Sequence, residues 1–198
     1  MIKPASFEDE LFVILTLQGQ VKNIARRLQK LISDHYDLFK TEEYPQLHIT
    51  IDRIHKNKAS QAREIISKTV QKSSPVRIKI SELDCLETSE DNRFLVLDVE
   101  KTNSLLTLAQ NLHEKLSAEN ISTITNYEDW NFHITIVNNV FTSNPIPDRD
   151  FRDLCLFIDG ADTSSSSYAD RIEIWRPILD PSAKIIESIK LPNRSETD

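Results

Sequence analysis

The sequence predicts an α+β fold made of a duplicated β-α-β-α-β unit, with two lobes facing each other across a central cleft. Three observations carry this. Strand-like and helix-like segments of the first half recur in the same order in the second. The tetrapeptide His-Ile-Thr-Ile stands at 48–51 and again at 133–136, and Phe12 to His48 spans 36 positions where Phe94 to His133 spans 39. The period of 85 residues between the two copies is too long for a solenoid repeat, so an internal duplication with one strand-borne site per copy is the simplest account. No low-complexity linker divides the chain. Residues 1–198 are therefore expected to pack as one bilobal body, lobe one over about 11–90 and lobe two over about 91–191, with polar, loose ends at about 1–8 and 192–198.

The elements follow from periodicity. Residues 11–17, LFVILTL, form a short apolar run rich in strand formers. A Gln-Gly turn follows, and then Val21, Ile24, Ala25, Leu28, Leu31 and Ile32 recur at helical spacing. The strand LHITI comes next, then a helix with Ala62, Ile65, Ile66, Thr69 and Val70 on one face, then the strand VRIKISEL. In the second half FLVLDVE from Phe94 is a strand, Leu105, Leu108, Ala109, Leu112 and Leu116 mark a helix, and FHITIV is a strand. A weaker helical piece spans Asp148 to Leu154, Ser164 to Ser167 are expected as a loop, and RIEIWRPIL and KIIESIKL complete the strands.

Composition removes several classes of function. With only Gly19 and Gly160 in the chain, the glycine-rich loops of dinucleotide-binding and P-loop proteins are absent, so a phosphate must be held by side chains. A net charge of −7 argues against a long nucleic-acid groove and leaves a short or singly phosphorylated ligand. No apolar stretch reaches the roughly 18 to 20 residues of a membrane helix, and MIKPASFEDE lacks the order of a signal peptide, so a soluble cytoplasmic protein with no membrane partner is expected. Cys85 and Cys155 form no C-x-x-C pair and are expected as small buried apolar residues. His35, His55 and His113 lack the tetrapeptide context, and no zinc spacing is completed, so neither a metal nor a cofactor is expected.

Successive side chains of a strand point to opposite faces. His48 and Thr50 therefore share one face while Leu47, Ile49 and Ile51 line the other, and His133 and Thr135 stand likewise against Phe132, Ile134 and Ile136. With five His and 13 Thr in the chain, one chance His-x-Thr is expected about a third of the time, but two identical tetrapeptides in equivalent places are far harder to reach by accident. If the copies face each other, two imidazoles and two hydroxyls converge. That set suits phosphoester cleavage: one neutral histidine takes a proton from a nucleophile, a protonated one gives a proton to the leaving oxygen, and the hydroxyls donate to non-bridging phosphate oxygens. The sequence does not identify the partners that orient the imidazoles.

Paired His-x-Thr motifs on the strands of a duplicated α+β unit resemble the two-histidine (2H) phosphoesterase superfamily, including its bacterial RNA ligase-like and cyclic phosphodiesterase branch. The resemblance covers about residues 11–191. It implies a bilobal fold of pseudo-two-fold symmetry and a metal-independent hydrolase acting on 2′,3′-cyclic or 2′-5′-linked phosphodiesters of short RNA ends or small nucleotides. Carried over, His48 and His133 are the acid/base pair and Thr50 and Thr135 the phosphate-contacting hydroxyls. Members often have Pro before the histidine and a basic residue soon after the second motif. Here Gln46-Leu47 and Asn131-Phe132 precede the motifs and Val137-Asn138-Asn139 follows the second, which leaves the substrate open. The alternative is a non-catalytic module that binds a nucleotide or RNA end on the same fold.

A nucleobase beside the phosphate would want an aromatic surface. Tyr127 and Trp130, shortly before His133, are the substrate-binding candidates, with Tyr44 and Trp175 as further ones. Strand alternation from His48 puts Asp52 on the histidine face and Arg53 on the opposite one.

Overall fold

The computed structural model describes residues 5–40, 44–89, 92–158 and 161–192, and begins with β1 (Glu10–Thr16), buried along most of its length, the helix α1 (Gly19–His35), and β2 (His48–His55), where burial alternates over residues 48–51. There follow α2 (Ala59–Val70), β3 (Arg77–Ser89), β4 (Asn92–Val99), α3 (Asn103–Ala118), β5 (His133–Asn138), α4 (Asp148–Ile158), β6 (Asp162–Tyr168), β7 (Arg171–Trp175), the one-turn α5 (Pro181–Lys184) and β8 (Ile185–Lys190). The four expected helices, α1 to α4, begin or end within a few residues of where the periodicity puts them, because their apolar positions recur on one face that buries against the sheet; the one-turn α5 was not expected.

Among the described residues the eight strands form one antiparallel sheet in the order β6-β3-β4-β5-β2-β1-β7-β8. Its centre is a single cross-strand pair, Ile49 opposite Ile134, and the order reads outward symmetrically from that seam: β5 matches β2, β4 matches β1, β3 matches β7 and β6 matches β8. Each half-sheet takes strands from both halves of the chain, since β3 pairs with β4 while β7 and β8 extend β1. The halves of the sheet thus do not follow the division near residue 90 read from the sequence. The crossovers produce this: α1 packs on β5, β3 and β6, whereas α3 packs on β2. One apolar core, from Leu11, Val13 and Leu15 through Ile49 and Ile134 to Ile172 and Ile174, lies under the helices.

The serine-rich stretch is not a loop. Ser165 and Ser167 lie opposite Ile80 and Ile78 in the edge strand β6, where small side chains let the start of α1 approach. Gly19 there has φ +59°, and a Cβ on it would stand 3.4 Å from the Ser167 Cβ. Of the expected strands RIEIWRPIL and KIIESIKL, the first ends at Trp175 and the second keeps only Ile185–Lys190, since Lys184 closes α5. Of the ends expected to be loose, residues 1–4 and 193–198 lie outside the described residues. Ser6 and Phe7 are held, through Ser6 N to the Glu10 carboxylate at 3.0 Å and ring contacts of Phe7 with Phe12 and Phe141.

The cysteines are also not two independent apolar residues: Cys85 of β3 and Cys155 of α4 form a disulfide with Cα atoms 6.0 Å apart. Spacing in the sequence carried no hint of it, because the bridge depends on α4 packing across β3. It closes a loop of 70 residues. Bridges of this kind persist in oxidising surroundings. Cys155→Ser is expected to lower the unfolding free energy by about 2 to 4 kcal/mol under oxidising conditions, and a reductant should bring the wild type down to the same level. Urea melts with and without dithiothreitol check this, and coincident wild-type curves would refute it.

Candidate active site

The central strands β2 and β5 carry the two motifs side by side. With Ile49 opposite Ile134, His48 and Thr50 of one strand and His133 and Thr135 of the other stand on the face away from the helices, all four half-buried. His48 and His133 thus take diagonal positions about the one pair at which β2 and β5 meet. The charge of His133 is among those felt by His48.

The orienting partners missing from the sequence are main-chain carbonyls. The His48 Nδ1 lies 2.9 Å from the Gln46 carbonyl oxygen, and the His133 Nδ1 lies 3.3 Å from that of Asn131. A carbonyl only accepts, so each Nδ1 carries the hydrogen and each Nε2 is left for chemistry. The partner is residue i−2 in both copies, a sign of the duplication at atomic level. Burial depresses both imidazoles. His48 is lowered to about 4, by burial first and then by the nearby charges of Lys184 and His133, and His133 is lowered by burial.

A matched β-bulge follows each motif and decides what stands behind it. In β2 Asp52 pairs with Val13 and Thr50 with Ile14, leaving Ile51 as the extra residue; in β5 Val137 pairs with Leu95 and Thr135 with Val96, leaving Ile136. The bulge inverts the alternation. Arg53, opposite Phe12, thus comes to the motif face, and its pseudo-symmetric counterpart is Asn138, opposite Phe94. Asp52 turns the other way, under α3. Both facings are the reverse of the simple alternation, because period 2 presupposes an unbroken strand. Arg53 is 4% exposed, with its guanidinium 5.6 Å from the Trp130 ring and NH1 3.5 Å from Glu10 Oε2.

Asp52 is fully buried and accepts from the Arg53 main-chain N–H at 2.7 Å and from Ser122 Oγ at 2.7 Å, and its Oδ2 lies 3.1 Å from His113 Nδ1. A carboxylate accepts only, so that imidazole nitrogen is the donor, and His113 Nε2 lies 3.2 Å from Ser117 Oγ. This network ties α3 to the strand that carries His48.

Tyr127 and Trp130 belong to the segment between α3 and β5, which covers the open edge of β2. Tyr127 OH donates to the Ile51 carbonyl at 2.7 Å and Trp130 Nε1 to that of Thr50 at 3.1 Å. One face of Tyr127 is stacked on His113 with centroids 3.9 Å apart. With Phe132 and His113 they line a cavity of about 490 Å3 that none of the four motif residues borders. Tyr44 lies by α1, its hydroxyl donating to Asp34 at 2.6 Å. Trp175 does reach the motif face: it pairs with Phe12, its ring centroid is 4.7 Å from that of His48, and it is 4% exposed. It supports the imidazole and offers no free surface to a base.

The two ends of the face differ in charge. Beside His48 stands Lys184, its Nζ 4.9 Å from the Trp175 ring centroid. His133 pairs across strands with Asp98, whose carboxyl is raised by burial and by Asp84 and Glu82. The sequence held no local sign of Lys184, which lies 51 positions beyond the second histidine.

A model of the 2′-5′ RNA ligase superfamily matches residues 23–145. Among solved structures, TT0787 of Thermus thermophilus aligns with TM-score 0.64 at 16% identity, over 92% of this chain and 97% of that one. LigT of E. coli complexed with 3′-AMP aligns with TM-score 0.53 at 12% identity, over 93% and 99%, and a structure described as a phosphoesterase with TM-score 0.52 at 14% identity, over 93% and 99%. No curated protein sequence matches.

Proposed function

The chain belongs to the 2′-5′ RNA ligase superfamily, and on that premise we propose that it is a phosphodiesterase of the two-histidine kind, acting on a 2′,3′-cyclic phosphate or 2′-5′ linkage of a small nucleotide or short RNA end. The observation that carries the reading is the pair of His-x-Thr sets on one face of adjoining central strands, each imidazole with Nδ1–H on a carbonyl and Nε2 left for chemistry. That LigT has been crystallised with 3′-AMP and with NADP+ supports a small nucleotide as occupant.

In-line displacement at phosphorus needs a base on one side and an acid on the other, which two histidines either side of a seam supply. His48, with the cation Lys184 beside it and the deeper depression, is the base: its Nε2 takes a proton from water as the water oxygen bonds to phosphorus. His133, next to Asp98, is the acid, and its Nε2–H gives a proton to the 3′ oxygen as the P–O3′ bond breaks, leaving a 2′-phosphate. The hydroxyls of Thr50 and Thr135 donate to the non-bridging oxygens, where charge builds in the transition state.

The pH dependence follows. In the free enzyme kcat/KM should rise as His48 loses its proton near pH 4 and fall as His133 loses its own below the ordinary 6.5. The profile is a bell with its maximum on the acid side of neutrality, and the bound phosphate should move the kcat profile upward. A maximum above pH 8 would contradict the assignment. Stability responds to the same group: the unfolded chain binds a proton at His48 near 6.5 and the folded one only near 4, so its contribution is complete above 6.5 and is lost as pH falls through that window.

The reading is tested by hydrolysis of 2′,3′-cyclic nucleotides and of a cyclic-phosphate-ended oligonucleotide in EDTA, with the product isomer identified. Turnover to the 2′-phosphate is expected. Binding without turnover would sink the catalytic reading in favour of a nucleotide-binding module.

A further inference from the structure

Lys184 is only 5% exposed, yet among the described residues no carboxylate comes within ion-pair distance of its ammonium. Burying an ammonium is unfavourable unless something replaces the lost water. Cation–π contact with Trp175, at 4.9 Å, replaces part of it. Burial also lowers the lysine's affinity for its proton. The surroundings of the side chain are thus not those of a structural ion pair. Its backbone is fixed: Arg176 N donates to the Lys184 carbonyl at 2.8 Å, and Asp180 caps the turn through Ser182 N at 2.9 Å.

Its location is specific. The indole that Lys184 overlies is the one packed against His48, and its charge acts on that imidazole. The opposite end of the motif face is acidic, with Asp98 paired across strands with His133 and Asp84 and Glu82 near Asp98. Behind the second motif stands Asn138, an uncharged residue, where Arg53 stands behind the first. Arg53 is engaged by Glu10 and Trp130. Arg171 of β7, on the same face as Trp175, is held by Ser188 Oγ at 2.9 Å and lies 3.9 Å from the Glu173 carboxylate; Lys184 of α5 thus adds, from outside both copies of the motif, a cation beside His48 that no carboxylate pairs among the described residues.

We propose that Lys184 is a substrate-binding residue that anchors a non-bridging phosphate oxygen from the His48 side of the motif face. The proposal rests on the motif face being a phosphate site. It draws the phosphate toward the base and away from the carboxylates, so that the ester oxygen to be released points at His133. An ammonium poised on an indole is completed by the anion, and the substrate's charge supplies what the protein leaves out.

The test uses inorganic phosphate as probe, titrated into the full chain while the His48 and His133 imidazole resonances are followed by NMR, in wild type, Lys184→Met, Lys184→Arg and the exposed control Lys190→Met. Methionine keeps an apolar stem over Trp175, and near-ultraviolet circular dichroism checks that the indole packing is retained. Phosphate should shift both imidazoles in the wild type. Its Kd should weaken about 10-fold or more in Lys184→Met, recover to within about 3-fold in Lys184→Arg and stay unchanged in Lys190→Met. With a cyclic nucleotide the loss should fall mainly on KM. Equal phosphate affinity in wild type and Lys184→Met overturns the proposal and leaves the catalytic reading intact. Lysine-dependent phosphate binding with no turnover of any cyclic phosphate upholds the proposal and overturns the catalytic reading. Absence of phosphate binding to the wild type overturns the proposal together with its premise.

Discussion

Replacing either His48 or His133 with alanine is expected to reduce hydrolysis of a 2′,3′-cyclic nucleotide by about 10² to 10⁴, the range for loss of a positioned acid or base, while the fold is kept. Each ring stands half-buried on the motif face, outside the apolar core under the helices, so truncation opens no core cavity. His48→Ala also removes the ring against which Trp175 packs, so circular dichroism should accompany the assay. The double variant should be little worse than either single one, because the two proton transfers act on one transition state. Thr50→Ala or Thr135→Ala should cost less, on the order of 10-fold, as loss of one stabilising donor. Retention of more than a tenth of wild-type turnover in both histidine variants would end the paired-histidine account.

Asp52→Ala is expected to be the most destabilising single substitution near the site, by about 3 to 5 kcal/mol, because it leaves buried donors facing an apolar side chain. The carboxylate serves three groups, Arg53 N, Ser122 Oγ and His113 Nδ1, and is fully buried. For a chain of this size the loss corresponds to a fall in Tm on the order of 10 °C. Asp52→Asn should lose less, since its amide oxygen still accepts, although its NH2 faces a donor on one side. Thermal melts of the two variants check the order. A change below about 1 kcal/mol in Asp52→Ala would mean that the network does not hold α3 to β2. Well below the variant's Tm, kcat should remain near wild type, which separates this structural role from that of His48.

Most of the elements and all four motif residues were legible in the sequence, because they depend on local pattern. A strand's period of 2 puts His48 with Thr50 and His133 with Thr135 whatever the strand pairs with, and a helix such as α3 announces its buried face through Leu105, Leu108, Leu112 and Leu116. Repetition of the tetrapeptide then supplied the one long-range fact, that two such faces belong together. What the sequence did not disclose depends on pairing between distant segments. A bulge at Ile51 exists only relative to the register of β1, and it alone turns Asp52 inward and Arg53 outward. The serines became strand because β3 had an edge to fill, and the cysteines met because α4 crosses that strand. Tyr127 and Trp130 went to the edge of β2 for its unpaired carbonyls, a demand set by the splaying of β2 from β5 beyond one residue pair. Lys184 reached His48 through a strand, β7, added next to β1. Side-chain alternation is a property of each segment's own backbone, whereas register, bulges and neighbours are decided only when the whole chain satisfies its buried hydrogen bonds and core at once.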